Sequence, residues 1–187
     1  MLTNKKVVLC VTGGIAAYKS AELLRNIVKL EGLSRVIMTK SSQEFITPLT
    51  FQTLSGNKVV AELFSLLEES KIGHITIAEW ADIFVIAPAT ANIIGKMANG
   101  IADEFLSTTL MATTAPVLIA PAMNTNMYEN PVVQRNINDL KSLGYHFVEP
   151  ACGELACGGG GAGRLAEISE IIEEIKRSGL RGRGGAG

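Results

Sequence analysis

Charge is scarce in this chain, and it nearly cancels. Seventeen Lys and Arg stand against 18 Asp and Glu, a net charge of −1, so no basic surface is set aside for nucleic acid or an anionic membrane. No apolar run approaches the roughly 20 residues that span a bilayer. The opening "MLTNKKVVLCVTGG" has two lysines and a short apolar stretch, but it breaks at Gly13-Gly14 without a cleavage-type ending. It reads as a first strand, not a signal peptide. Cysteine is limited to three, an odd count with no metal-type C-x-x-C spacing. A reducing cytoplasm fits that usage. Internal domain boundaries and long repeats are also missing.

What is present is a globular composition: 187 residues, 47% hydrophobic and 19% charged. Apolar, β-branched runs recur at 6–12, 34–39, 83–89, 116–122 and 145–150, as strands buried on both faces do. Helical patterns lie between them. Ala17, Ala21, Leu24 and Val28 share one face; so do Val133, Ile137 and Leu140, and Ile168, Ile171, Ile172 and Ile175. Alternating β and α predicts a Rossmann-like α/β three-layer sandwich with a central parallel sheet flanked by helices. The domain is expected over 1–176. A flexible Gly- and Arg-rich tail is expected over 177–187.

In an open parallel sheet, ligands sit beyond the carboxyl ends of the strands. The segments just after the runs are "TGGIAAYKS", "TKSSQEF", "PATAN" and "PAMNTNMYENP". All are small and polar, and they should gather at one edge. Gly13-Gly14 could bring backbone N–H groups to an anion at a helix N-terminus, or could simply make a tight turn. G-x-G-x-x-G is missing, and Thr39-Lys40-Ser41 offers no carboxylate to a ribose. A dinucleotide is thereby disfavoured relative to a single phosphate or flavin mononucleotide. Thr90 and Asn92 could donate to such a ligand, or Thr90 could only cap a helix. His74 sits in a polar turn and could move protons; His146, inside a strand, reads as structural. Cys10 reads as a small core residue. Four glycines follow Cys157, which suits either a mobile lid or a plain loop.

Taken together, "GGIAAYKS", "GHITIAEWAD", "APATAN", "PAMNTNMYENP" and "ELACGGGGAGR" resemble, in that order, the flavin-dependent cysteine decarboxylases. The likeness runs from about Lys5 to about Lys176. The activity it implies is decarboxylation of 4′-phosphopantothenoylcysteine to 4′-phosphopantetheine in coenzyme A biosynthesis, with FMN as cofactor. The implied course is transient oxidation to a thioaldehyde, loss of CO2 and re-reduction of the enethiolate. His74 matches the base, Cys157 the proton donor, and Asn124 the ligand of the substrate carboxylate. The implied FMN shell is Gly14, Ile15, Ala16, Thr39, Ser41 and Phe45, with Thr90, Ala91, Asn92, Ser107 and Ala122. Met127 and Gly158 would border substrate, and Arg164 is the candidate for its phosphate.

The resemblance further implies a homo-oligomer, a trimer or a multiple of one, in which His74 serves a neighbouring site. Many bacterial relatives continue into a phosphopantothenate–cysteine ligase domain. This sequence lacks it, and is expected to be monofunctional or part of a longer chain. Tyr128 stands where Trp is common, and Cys152 where Ser is common. A Cys152–Cys157 disulfide would silence the enzyme. The rival readings are an FMN-binding regulatory protein, a flavin prenyltransferase and a peptidyl-cysteine decarboxylase.

Overall fold

The structure is a computed structural model and describes residues 1–60, 73–154 and 160–179. Six strands, β1 (Lys6–Val11), β2 (Leu33–Met38), β3 (Val59–Val60), β4 (Ile83–Ala89), β5 (Val117–Pro121) and β6 (His146–Phe147), form one sheet. Their order is β3-β2-β1-β4-β5-β6, and every pairing is parallel. The chain therefore reverses its direction of travel across the sheet between β1 and β4. That reversal opens a crevice at their carboxyl ends.

Alternation within each strand feeds two cores. Val7, Leu9 and Val11 of β1, with Ile83 and Val85 of β4, face helices α1 (Ala17–Lys29), α2 (Pro48–Ser55) and α8 (Ile168–Gly179). Val8 and Cys10, with Phe84 and Ile86, face α3 (Gly73–Trp80), α4 (Ala91–Ala98), α5 (Phe105–Ala112) and α7 (Pro131–Ser142). β4 is buried at every position, as a central strand covered on both faces must be. Cys10 is a packing residue. Burial pushes its thiol far above the ordinary range, so it stays neutral.

The α1 face differs from the expected one. Its buried stripe is Ala17, Ser20, Leu23, Leu24 and Ile27, whereas Val28 is 39% exposed. The polar Ser20 disguised the stripe. Its hydroxyl donates to the Ala87 carbonyl at 2.7 Å, so it can be buried at little cost. The predicted strand at 145–150 pairs only at His146 and Phe147, and His146 is exposed on this edge. The last helix reaches Gly179, beyond the residue-176 boundary expected, and ion pairs Lys176–Glu173 and Arg177–Glu174 support its final turns. The remainder of the expected tail, 180–187, lies outside the described residues. No described helix is long and apolar enough to cross a membrane.

Candidate active site

The crevice is built first by a tie between β1 and β4. Thr12 follows β1, and its hydroxyl donates to the Pro88 carbonyl at 2.6 Å and accepts from the Thr90 N–H at 3.1 Å. That fixes the two strand ends side by side. The chain then turns through Gly13-Gly14. A Cβ on Gly13 would collide with Ser41, whose backbone carbonyl carbon would stand 2.9 Å away. This glycine is needed because the loop after β2 packs on it. Gly14 is different. A Cβ there would meet only the Thr90 methyl, at 3.7 Å, and would project into open space. Thr90 caps α4 through Ile93 N–H, so one residue both starts the helix and faces the crevice.

The opposite wall follows β5. Ala122 N–H donates to the Ala89 carbonyl at 3.0 Å, and Met123 N–H donates to the Gly163 carbonyl at 2.9 Å. Asn124 then caps the short helix α6 (Thr125–Tyr128), its Oδ1 accepting from Asn126 N–H at 2.9 Å. A hairpin of β7 (Ala151–Glu154) and β8 (Gly160–Arg164) lies on this loop. A Cβ on Gly161 would stand 2.7 Å from the Thr125 methyl, and one on Gly163 would penetrate the Met123 carbonyl oxygen. These two glycines serve close approach of backbones. Gly158 and Gly159, the first half of the glycine run read as a lid, lie outside the described residues. Gly163 also has φ +133°, a region that side chains rarely enter. Gly163→Ala is therefore expected to destabilise the protein by about 1–3 kcal/mol. Thermal denaturation checks this; an unchanged Tm would mean that the hairpin does not dock on Met123.

Between these walls lies a cavity of about 970 Å³. It gathers Gly14, Ile15 and Ala16 from the first turn, Ser41 after β2, and Thr90, Ala91 and Asn92 at the start of α4. Ala122, Asn124 and Met127 come from the motif after β5, and Arg164 from β8. The four polar segments thus meet at one edge. Sequence reasoning passed over Tyr18, Lys19 and Leu165, which also line the cavity. Tyr18 and Lys19 lie three and four residues after Ile15, on the same side of α1's start, a spacing that could have revealed them.

Other expected residues stand elsewhere. Thr39 is buried beneath the loop. Its hydroxyl accepts from Ser42 N–H and lies 3.2 Å from the Ser41 hydroxyl, so it supports the wall without lining it. Phe45 is half exposed and does not line the cavity. Ser107 is buried in a capping box with Glu104 at the start of α5, which spends its hydroxyl on the backbone. His74 is in the first turn of α3, not in a free turn. It is partly buried, with its ring edge-on to Phe105 at 6.4 Å, and it does not line its own chain's cavity. Cys157 and Gly158 lie outside the described residues.

Among the described residues the lining carries Lys19 and Arg164 and no carboxylate, a charge balance that suits an anion. Arg164 donates to Glu167 at 2.5 Å, while its Nε is buried without a partner. Behind the motif, the Tyr128 hydroxyl donates to Glu149 at 3.1 Å, and Lys141 pairs with the same carboxylate at 2.8 Å. Burial, then the Glu149 charge, pushes the Tyr128 phenol up to about 12. The tie therefore holds with the phenol neutral. Lys141 in turn keeps the Glu149 carboxyl below its ordinary range.

Residues 1–179 match the model of the family described as Flavoprotein. The coenzyme A biosynthesis bifunctional protein CoaBC of Bacillus subtilis is 53% identical over 173 residues, which are 92% of this chain and 43% of the relative. The chain thus spans about two fifths of the length of such relatives. A probable phosphopantothenoylcysteine decarboxylase of Streptococcus mutans is 43% identical over 175 residues, covering 92% of this chain and 98% of the relative. Among solved structures, a PPC decarboxylase mutant complexed with pantothenoylaminoethenethiol superimposes with a TM-score of 0.82 at 32% identity. The match covers 93% of this chain and 97% of that one.

Proposed function

The chain belongs to the flavoprotein family, and from that premise we propose that it binds FMN and decarboxylates 4′-phosphopantothenoylcysteine to 4′-phosphopantetheine. The observation that carries the reading is the cavity at the β1/β4 reversal. Among the described residues its lining is free of carboxylates, and it is walled by the motif from Pro121 to Met127. Its residues fit FMN. Gly14 leaves a cradle that a Cβ would fill. Ser41, Thr90 and the starts of α1 and α4 offer hydroxyl and N–H donors to a phosphate. Ile15, Tyr18, Met123 and Met127 offer flat or adaptable apolar walls to a ring. Thr39-Lys40-Ser41, at the end of β2, has no carboxylate for a dinucleotide's ribose, which favours the mononucleotide.

Bound FMN supplies a reversible acceptor for a hydride from the cysteine end of the substrate. The chain's own residues do the rest. Asn124 presents a neutral amide to the substrate carboxylate, orienting it without adding charge. Met123 and Met127 keep water from the reacting carbon. His74 accepts the thiol proton. Because it stands outside its own chain's cavity, it serves the site of a second copy. Ile15, Tyr18 and Met127 are each about half exposed while lining the cavity, the exposure a neighbouring copy would cover. Cys157 delivers a proton to the carbon that CO2 leaves. A phosphopantothenate–cysteine ligase, joined to this chain or separate, supplies the substrate in the cytoplasm.

The test is CO2 release by the FMN-loaded protein, with its mass followed by light scattering. Release that requires FMN, from a trimer or a multiple of it, is the expected result. A yellow protein that leaves the substrate intact sinks the substrate assignment. An active monomer removes His74 from the mechanism.

A further inference from the structure

We infer that Lys19 is the cation that receives a phosphomonoester in this cavity, and so sets its preference for phosphorylated over unphosphorylated ligands. The inference rests on the decarboxylase reading for its substrate arm. Lys19 is the third residue of α1 and lines the cavity, half-buried. The first turn of α1 contains no acidic residue. A lysine there opposes the helix macrodipole, so the position is unfavourable to the isolated helix. It becomes favourable once an anion sits in front of it.

The second observation concerns the neighbours. Arg164, the other cation of the lining, already has Glu167 at 2.5 Å. Among the described residues no carboxylate pairs with Lys19, and none lines the cavity. Lys19 is thus the lining charge that the described protein leaves uncompensated. The carboxylate of the ligand already has a neutral recognition group in Asn124. What remains for a mobile ammonium is a compact dianion, which it meets as a point charge. Arg164 was the sequence candidate for the phosphate; the ion pair with Glu167 leaves Lys19 as the stronger one.

Two ligands carry such a group: the cofactor and the substrate. The experiment compares wild type, Lys19→Gln and Lys19→Arg in two ratios. One is the affinity for FMN over riboflavin, read by flavin fluorescence. The other is kcat/KM for 4′-phosphopantothenoylcysteine over pantothenoylcysteine. Lys19→Gln should reduce one ratio by about 10- to 100-fold, the worth of a hydrogen bond to a charged group. Lys19→Arg should keep most of it. A fall in the first ratio assigns the cofactor phosphate, and a fall in the second assigns the substrate phosphate. If neither ratio moves while the variant is folded and yellow, the inference is overturned. A wild type that binds FMN but spares both substrates refutes the reaction, and the flavin ratio then decides Lys19 alone.

Discussion

Asn124→Asp should lower kcat/KM for 4′-phosphopantothenoylcysteine by about 10²- to 10³-fold, the cost of about 3–4 kcal/mol in the transition state. Aspartate is as good a helix cap as asparagine, so Oδ1 can still accept from Asn126 N–H and α6 should stay in place. The amide donor is lost and a negative charge faces the substrate carboxylate in its place. Two like charges about 4 Å apart repel by about 4 kcal/mol at an effective dielectric near 20. Flavin binding should change far less than turnover, because the added charge faces the substrate. Steady-state kinetics beside a flavin titration check this. Wild-type turnover by Asn124→Asp would place the carboxylate elsewhere.

Gly13→Ala and Gly14→Ala should separate fold from ligand, although the two residues are adjacent. At Gly13 a methyl meets Ser41, and the Ser41 backbone at 2.9 Å cannot rotate away. Overpacking of this kind costs about 1–3 kcal/mol, and Tm should fall by about 2–4 °C for each kcal/mol. At Gly14 the methyl has only the Thr90 methyl nearby, at 3.7 Å, so Tm of the FMN-free protein should hold. The same methyl occupies the cradle, and FMN affinity should drop at least about tenfold, more than one kcal/mol. Thermal denaturation without FMN and a flavin titration read the two effects apart. A Gly14→Ala protein with wild-type FMN affinity would move the cofactor away from this turn.

The sheet was legible because parallel strands buried on both faces must be continuously apolar. β4 and β5 are so along their whole length, and β1 from Val7 onward. β6 was overread, since only two residues of "YHFVEP" pair. At the site, the small and polar segments after the strands led directly to the cavity. Its far side was harder. Lys19 and Tyr18 sit on a helix whose apolar pattern was read for the core face alone. Thr39 and Ser107 look like ligand donors in sequence, but their hydroxyls are used locally by caps. The glycines of β8 suggested mobility. Gly161 and Gly163 are in fact fixed by contacts with Thr125 and Met123, nearly forty residues earlier, which no local pattern can announce.

Mass spectrometry of the products from one mixture tests the central claim most directly. The FMN-loaded protein would be given 4′-phosphopantothenoylcysteine together with a peptide ending in cysteine. The account predicts that the phosphorylated substrate loses CO2 to give 4′-phosphopantetheine while the peptide stays intact. Decarboxylation of the peptide instead, or of neither, would contradict it.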